Sequence, residues 1–256
     1  MSKPEERFSA SVRHCFATSA MAYEQEARLQ AAIAQRLARL CRPLREILPS
    51  GPRADLGSGS GLLGRAIQTE IGGAPLLQVD ACEPLLAQGQ LQQPAPQLQW
   101  DLNQGLPEPL HGAALLASSF ALQWLEQPEW QLERWCKALG SGGVLALAVP
   151  CSGSFPIWVE AEAQAAVPCT ALELPSASRL ITRVEPWLEL EQLQRLRFSR
   201  ANRGALTFLQ QFKAIGAQAS RAPRLSTGQL RQLIRHWPGP EQAILWEVLV
   251  LVGRKR

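Results

Sequence analysis

The segment 54–64 carries three alternating glycines directly after an acidic residue and a leucine. Alternating glycines let the backbone turn tightly and approach a ligand with no Cβ in the way. The residues that follow have the pattern of the first turns of a helix. A strand, a glycine turn and a helix N-terminus together form a cradle of nucleotide size. The residues of this candidate cradle are Asp55, Gly57, Ser58, Gly59 and Gly61.

Two registers fit this segment. Residues 59–64 match G-x-G-x-x-G, the dinucleotide fingerprint, and Asp80 lies at a suitable distance downstream. Residues 55–61 match (D/E)-x-G-x-G-x-G. This second register resembles motif I of the class I S-adenosylmethionine-dependent methyltransferases, in which the acid before the first glycine supports the methionine end of the cofactor. We favour the second register.

Length and composition narrow the class of protein. The 256 residues suffice for one large domain with a substantial core. No apolar run reaches the ~18 residues of a membrane span, and the first residues lack the apolar centre of a signal peptide. Six cysteines are scattered without C-x-x-C spacing or paired histidines. We therefore expect a cytoplasmic protein with reduced thiols and no metal site.

Strand and helix patterns alternate through the middle of the chain and predict a doubly wound α/β sheet. Unbroken apolar runs at 113–119 and 144–149 are typical of central parallel strands. We expect a Rossmann-like, seven-stranded, mostly parallel sheet with helices on both faces, in one domain. Its predicted parts are an N-terminal helical segment (8–45), a cofactor-binding core (53–150), a cap-like insertion (151–185) and a C-terminal part of the sheet (186–256).

Two predicted strands end in an acid. Asp80 closes the second strand and is suited to accept hydrogen bonds from ribose hydroxyls. Asp101 closes the third and is followed by Leu102. This arrangement resembles the methyltransferase adenine site, in which a carboxylate accepts from the exocyclic amine; a loop-entry Asx turn is the alternative at Asp101. Leu102 and Ala81 are expected to sandwich the base.

Four further stretches, together with motif I, resemble the malonyl-[acyl-carrier protein] O-methyltransferases of biotin synthesis over most of residues 8–253. Residues 16–30 are similar to F-x-x-A-A-x-x-Y-(D/E)-x-x-A-x-x-Q, and residues 118–124 to S-N-x-A-x-Q-W. Residues 209–217 are similar to L-(K/R)-x-(I/T)-G-A, and 245–248 to T-(Y/W)-E-V. The chain departs from the pattern at Ser119, where asparagine is common, and it matches poorly over 151–185.

The resemblance implies S-adenosyl-L-methionine as cofactor and the free carboxylate of a malonyl thioester as methyl acceptor. It implies Tyr23 as the catalytic residue, with a hydroxyl that donates to the carboxylate or helps to close the N-terminal helix over the methyl donor. Gln30, Gln123 and Trp124 are implied substrate residues, with core packing as the alternative for Trp124. The implied cofactor-binding set is Asp55, Gly57, Ser58, Gly59, Gly61, Asp80, Ala81, Asp101, Leu102 and Ser118.

The chemistry implied by the resemblance needs little acid–base catalysis. A malonyl carboxylate is already ionised at neutral pH, so alignment of oxygen, carbon and sulfur carries the reaction. The three histidines lie outside every motif and are expected at the surface or in loops. No Ser-His-Asp arrangement is therefore predicted.

Charge is unevenly distributed along the chain. Residues 191–256 hold 12 Lys and Arg against 3 Asp and Glu, whereas the rest of the chain is mildly acidic. A basic surface favours an acidic partner such as malonyl-acyl-carrier protein, or malonyl-CoA, and a solvated basic face is the alternative. No recognition helix or RNA-binding aromatic motif accompanies the basic residues, so a nucleic-acid partner is disfavoured. We expect a monomer or weak dimer. The candidate docking residues are Arg195, Arg197, Arg200 and Arg203.

Three other functions stay open at this point. A class I methyltransferase acting on another small acid is the second hypothesis, because the substrate depends on the poorly matched residues 151–185. A non-catalytic binding or assembly protein on the same fold is the third, although retention of all three candidate acids disfavours it. An NAD oxidoreductase is ranked fourth and last, because the chain offers no candidate for the proton donor that such an enzyme needs.

Overall fold

A mixed sheet of seven strands forms the centre of the computed structural model, which describes residues 4–256. Its strand order is β3-β2-β1-β4-β5-β7-β6. Strands β1 to β5 pair in parallel, and β7 runs antiparallel to both of its neighbours. The predicted α/β class and the mostly parallel sheet are thus confirmed. The strands are β1 (Arg53–Leu56), β2 (Leu77–Asp80), β3 (Gln97–Gln99), β4 (Ala113–Ser119), β5 (Leu139–Pro150), β6 (Leu188–Arg200) and β7 (Ile244–Lys255).

Ten α-helices accompany the sheet within the described residues. Most follow a strand and return the chain to the edge from which the next parallel strand starts. The helices are α1 (Pro4–Ser19), α2 (Tyr23–Glu26), α3 (Arg28–Cys41), α4 (Leu62–Ile71), α5 (Glu83–Gln92), α6 (Pro128–Ala138), α7 (Pro156–Gln164), α8 (Ala177–Val184), α9 (Ala205–Ala214) and α10 (Thr227–Arg235).

Two apolar cores lie on opposite faces of the sheet, because successive side chains of a strand point to opposite faces. Leu116, Leu145 and Leu147 join the core that α6 and α8 cover. Leu115 and Ala146 join the core that α3 and α4 cover. The central strands are therefore buried on both sides, as their unbroken apolar runs predict.

The glycine stretch 140–143 lies inside β5, which already begins at Leu139, where it pairs with Ala113. A Cβ at Gly143 would lie 2.4 Å from the carbonyl oxygen of Ala113. The glycines therefore allow β5 to approach β4 closely, across a register irregularity between Ala113 and Leu115.

Residues 151–185, expected to form a cap, divide into two parts. Helix α8 packs on the sheet, with Leu180, Ile181 and Val184 in the same core as α6, so this part is not a cap. Helix α7 instead contributes Ile157 and Trp158 to a separate aromatic cluster with α9. The strong amphipathic pattern of α8 explains its placement, since its apolar stripe needs a partner.

The N-terminal helices occupy two different environments. Helix α3 buries Ile33, Leu37 and Cys41 against α4 and the sheet, and is part of the core of the fold. Helices α1 and α2 lie over the carboxyl ends of the parallel strands, where Phe16 and Tyr23 contact the cluster of Cys82 and Leu85. This second group covers the region in which ligands of α/β sheets bind.

We expect Leu116→Ala to lower the free energy of unfolding by about 2–5 kcal/mol, because Leu116 is completely buried and the surrounding strands cannot collapse into the space it leaves. Urea unfolding of the wild type and the variant measures this difference. Leu91→Ala is the matched control, since Leu91 is 77% exposed, and it should change stability by less than about 0.5 kcal/mol. Equal effects of the two substitutions would contradict this description of the core.

Candidate functional site

A deep pocket opens at the carboxyl ends of β1, β2, β3 and β4, with an empty volume of about 950 Å³, part of it open to solvent. Such a crevice is the usual ligand site of an open α/β sheet. The structure brings most of the predicted cofactor residues together here. Those that line the pocket are Asp55, Gly57, Ser58, Gly59, Asp80, Ala81, Asp101 and Leu102.

The glycine loop forms the floor of this pocket. Gly57 and Gly59 have φ values of +65° and +55°, in the left-handed region that favours glycine. The backbone N–H groups of Gly57 and Ser58 both donate to the carbonyl of Val79, at 2.7 and 3.1 Å. A Cβ on Gly57 would lie 2.2 Å from the Cβ of Ala121. Only glycine therefore fits this close crossing of two loops.

Gly61, a predicted cofactor residue, does not line the pocket. It precedes α4 with a φ of +82°, and a Cβ there would lie 2.3 Å from the side-chain nitrogen of Gln78. Its role is to turn the chain into the helix beside β2. The alternating pattern identified the loop but did not distinguish the glycines that face the pocket from the one that faces the sheet.

Asp55 is buried at the end of β1 and accepts a 2.9 Å hydrogen bond from the backbone N–H of Gly64 in α4. Burial raises the pKa of its carboxyl to about 7, and the Gly64 N–H and Arg65 only partly oppose this rise. The negative charge is therefore costly in the free protein. A cation placed beside the carboxylate would offset that cost.

Asp80, at the end of β2, likewise accepts hydrogen bonds from backbone N–H groups. One carboxylate oxygen accepts from the N–H of Gly59 and the other from the N–H of Cys82, each at 2.8 Å. Burial raises its pKa, against the effect of these two bonds. A carboxylate oxygen has a second lone pair, so Asp80 retains acceptor capacity towards a ligand.

Asp101 lies two residues beyond β3, not at its end as predicted. One carboxylate oxygen accepts from the N–H of Asn103 at 3.0 Å, which is the Asx turn of the alternative interpretation. The other pairs with the guanidinium of Arg13 at 3.1 Å. The carboxylate thus faces the pocket and ties α1 to its rim, and a ligand amine there would share the carboxylate with Arg13.

Ser118 is wrongly predicted as a cofactor residue. Its side chain is completely buried and its hydroxyl donates to the carbonyl of Leu56 at 2.8 Å, which ties β4 to β1. The next residue, Ser119, faces the pocket with a buried hydroxyl that has no partner among the described residues. Alternation along the strand explains the shift by one position.

A second cavity, with an empty volume of about 1400 Å³, adjoins the first. Five side chains line both cavities and form the boundary between them: Phe16, Tyr23, Gln30, Phe120 and Trp124. The ring of Phe16 lies edge-on to those of Trp124 and Tyr23, with centroids 5.5 and 6.3 Å apart. The predicted residues Tyr23, Gln30 and Trp124 therefore lie at the boundary, where a ligand in the first cavity would contact a ligand in the second.

Tyr23 is the polar centre of this boundary. Burial, followed by the charge of Asp80, raises the pKa of its phenol above the ordinary range, so the hydroxyl stays protonated. None of the hydrogen bonds within residues 4–256 involves this hydroxyl. It is consequently a neutral donor that has no partner among the described residues.

Gln123, a predicted substrate residue, lines only the second cavity. Its amide nitrogen donates to the carbonyl of Phe120 at 2.7 Å, and its amide oxygen is buried without a partner in the described part of the chain. Phe120 itself has a φ of +56°, which is strained for a residue with a Cβ. The hydrogen bond therefore supports the strained turn after β4.

Ion pairs and hydrogen bonds hold the N-terminal helices over the pocket. Arg65 of α4 pairs with Glu24 at 2.6 Å and also donates to the carbonyl of Ser60 at 2.6 Å. Ser19 donates to the carbonyl of Lys213 in α9 at 2.8 Å. The segment that carries Tyr23 is thus attached to the glycine loop on one side and to α9 on the other.

The four predicted docking arginines do not share a surface. Arg195 donates to Ser178 of α8, and Arg197 pairs with Glu247 at 2.6 Å. Arg200 belongs to the opposite face, where it lines the second cavity, and Arg203 lies beside a cavity that continues outward from it. The four arginines therefore do not form the one docking surface expected from the sequence, because alternation along β6 directs Arg195 and Arg197 away from the face of Arg200.

Sequence reasoning missed several residues that face the pockets. Arg13, Arg28 and Phe120 line a cavity but match no functional pattern. Arg13 lies one helical turn before Phe16, so its position on the same face was accessible from helical periodicity. The position of Phe120 was not accessible from the sequence, because the positive φ of this residue depends on tertiary contacts.

Within residues 4–256, no cluster of three metal-ligating side chains is present, and no helix is both long and apolar enough to cross a membrane. All six cysteines are unpaired, and all except Cys169 are buried. The histidines lie outside both cavities. The polar groups that line the crevice are thus carboxylates, hydroxyls, amides, the guanidinium of Arg13 and the thiol of Cys82.

The fold is that of the class I methyltransferases. A candidate methyltransferase of Bacillus halodurans C-125 superposes with a TM-score of 0.58 over 86% of this chain and 98% of that chain, at 14% identity. The antiparallel β7 between β5 and β6 also departs from the wholly parallel order of the dinucleotide-binding fold. This topology favours the motif I register over the dinucleotide register.

Sequence comparison finds a relative that is named for biotin biosynthesis. The biotin biosynthesis bifunctional protein BioCD of Bordetella avium (strain 197N) is 32% identical over 234 residues, which cover 89% of this chain and 48% of that protein. The trans-aconitate 2-methyltransferase of Rhizobium meliloti (strain 1021) is 32% identical over 116 residues, covering 43% and 44% of the two chains. No family model matches. The chain spans about half the length of these curated relatives, and the first confirms the resemblance seen in the motifs.

The buried carboxyl of Asp55 predicts a pH dependence of stability. Its folded-state pKa of about 7 exceeds the value of 3.8 expected when unfolded. The unfolded chain therefore releases this proton first, and the contribution of Asp55 to stability is complete below about pH 4 and is lost as the pH rises to about 7. We expect the wild type to lose stability relative to Asp55→Asn over this range, by up to ~1.4 kcal/mol per pH unit.

Urea unfolding of both proteins at about pH 5 and about pH 8 measures this effect. The Asn variant is the matched control, since it keeps the shape of the side chain and removes the titration. Parallel pH profiles of the two proteins would contradict the raised pKa.

Proposed function

We propose that the protein transfers a methyl group from S-adenosyl-L-methionine to the free carboxylate of a malonyl thioester. The product is the methyl ester from which the pimeloyl part of biotin is built. One observation carries the proposal: the crevice with the strand-end acids meets a second cavity at a shared boundary formed by Tyr23, Gln30 and three aromatic rings. Two ligands in these cavities would face each other across Tyr23.

The residues of the first pocket fit S-adenosyl-L-methionine. Asp55 would hold the cationic methionine end, Asp80 the ribose hydroxyls, and Asp101 the adenine amine beside Ala81 and Leu102. The hydroxyls of Ser58 and Ser119 are buried without partners and offer further hydrogen bonds. When bound, the cofactor supplies an electrophilic methyl group.

The chain then needs to position the acceptor and does not need to deprotonate it. A malonyl carboxylate is ionised at neutral pH. The protonated Tyr23 hydroxyl is available to donate to it and to orient one oxygen. The aromatic rings of Phe16, Phe120 and Trp124 exclude water from the boundary, which strengthens that hydrogen bond. Alignment of the reactants accounts for most of the rate acceleration.

Methylation of another small carboxylic acid is the second candidate. The similarity to a trans-aconitate 2-methyltransferase favours it, since the name of that enzyme also denotes a carboxylic acid substrate. The second cavity is larger than such an acid alone would need, and its opening towards a further groove favours a longer acceptor. An acyl-carrier protein or CoA would be the carrier of that acceptor.

We expect methyl transfer from labelled S-adenosyl-L-methionine to malonyl-acyl-carrier protein or malonyl-CoA and not to free malonate. The reason is that the outer part of the second cavity would bind the thioester arm. Side-by-side assays of these acceptors, with trans-aconitate included, measure the preference. Binding of the cofactor without methylation of any malonyl compound would refute the substrate, and methylation of trans-aconitate alone would establish the second candidate.

We expect Tyr23→Phe to lower kcat at least about tenfold, because the variant loses the hydroxyl donor at the boundary and keeps the ring that packs on Phe16. Steady-state kinetics with the malonyl thioester measures the effect. The control is the affinity for S-adenosylhomocysteine, which should change little since Asp80 and the glycine loop are intact. A near-normal kcat would remove the role of the hydroxyl.

A further inference from the structure

A third cavity, with an empty volume of about 1100 Å³, continues outward from the second. The two share Arg28, Leu29, Arg200, Gln211 and Trp246, and Arg203 lines the outer one alone. We call this outer cavity, lined by the three arginines, the arginine groove. A ligand that starts at Tyr23 and extends through the second cavity would leave the protein along this groove.

The three arginines of the groove have no compensating acid. None of them makes an ion pair within the described residues. Glu26 lines the inner cavity, but it is not within ion-pair distance of them. Burial and the neighbouring charge of Arg203 lower the pKa of Arg200, as expected for cations that repel each other. An anion in the groove would remove this repulsion.

Arg200 is held in place at the junction of the two cavities. Its guanidinium lies over the ring of Trp246, 5.2 Å from the centroid, and donates to the side-chain oxygen of Gln211. A guanidinium fixed in this way has lost much of its conformational freedom before a ligand arrives. Its remaining N–H groups are suited to phosphate oxygens, which they contact in a planar, bidentate manner.

The geometry points to the arginine groove as the binding site for the phosphate of a phosphopantetheine arm, the part that an acyl-carrier protein and CoA have in common. This inference rests on the proposed function and deepens it. The groove offers the guanidinium of Arg200 at its junction with the second cavity and that of Arg203 farther out, apolar walls from Phe198, Phe208 and Ile244, and polar side chains at Thr207 and Gln211. These groups suit an arm with a phosphate, dimethyl and amide groups, and an acyl thioester that extends into the second cavity.

The test compares malonyl-phosphopantetheine with malonyl-pantetheine, which lacks only the phosphate. We expect the wild type to prefer the phosphorylated substrate in kcat/KM by roughly ten- to a hundredfold, as for charge-assisted hydrogen bonds. Arg203→Gln should reduce this preference at least about threefold, through KM, and leave kcat/KM for malonyl-pantetheine within about twofold of the wild type. Arg200→Gln should reduce the preference by at least as much.

Arg195→Gln is the matched control, because it removes an arginine of the same strand that faces the other side of the sheet. It should retain the full preference. Arg203 is exposed and unpaired, so Arg203→Gln keeps the test valid even if loss of Arg200 from the Trp246 ring disturbs folding. No preference in the wild type, or an equal loss on both substrates in Arg203→Gln, would overturn the inference.

A binding measurement separates this inference from the proposed reaction. Calorimetry should show that phosphopantetheine binds the wild type more tightly than pantetheine does, and that Arg203→Gln reduces the difference at least about threefold. This outcome would support the phosphate site even if no malonyl compound were methylated. Equal binding of the two compounds by the wild type would overturn the phosphate site, whatever the methyltransfer assays show.

Discussion

The hydrogen bond from the Gly64 N–H to the buried carboxylate of Asp55 is the contact on which the site depends. It joins the end of β1 to the first turn of α4 and so determines the course of the glycine loop between them. The loop must then pass so close to Ala121 that only glycine fits at position 57. The same carboxylate is costly to ionise. Stability and cation binding therefore oppose each other at one residue.

Helix α4 transmits this arrangement to the N-terminal helices. Arg65 contacts the glycine loop through the carbonyl of Ser60, and it contacts the segment that carries Tyr23 through Glu24. Phe16 and Tyr23 are thereby placed over the pocket, with Arg13 on Asp101 at the far rim. A ligand in the crevice would touch helix, loop and strand ends together. The three successive cavities change from acidic, through aromatic, to basic, which suits a cationic donor at one end and an anionic arm at the other.

Much of the fold and part of the site followed from sequence patterns. Unbroken apolar runs predicted β4 and β5, because a central parallel strand is buried on both faces. Asp55 was recognised from the glycine motif that follows it, and Asp80 and Asp101 from their places at the ends of predicted strands, since the carboxyl ends of parallel strands share one edge. The pattern of residues 188–198 on its own fits either a strand or a helix, and the structure places these residues in β6. An alternating pattern on an edge strand is weak when half of its residues are solvated.

The sequence by itself determined the order of the elements, the glycine loop, the acids of the crevice and the likeness to methyltransferases of biotin synthesis, because these depend on local spacing. Only the tertiary structure decided which of two neighbouring residues along a strand faces a ligand pocket. It assigned Ser119 and not Ser118 to the pocket, and it separated Arg200 from Arg195 and Arg197. Successive side chains of a strand point to opposite faces of the sheet. The pairing of β4 with β1 and of β6 with β7 determines which face of each of these strands is covered.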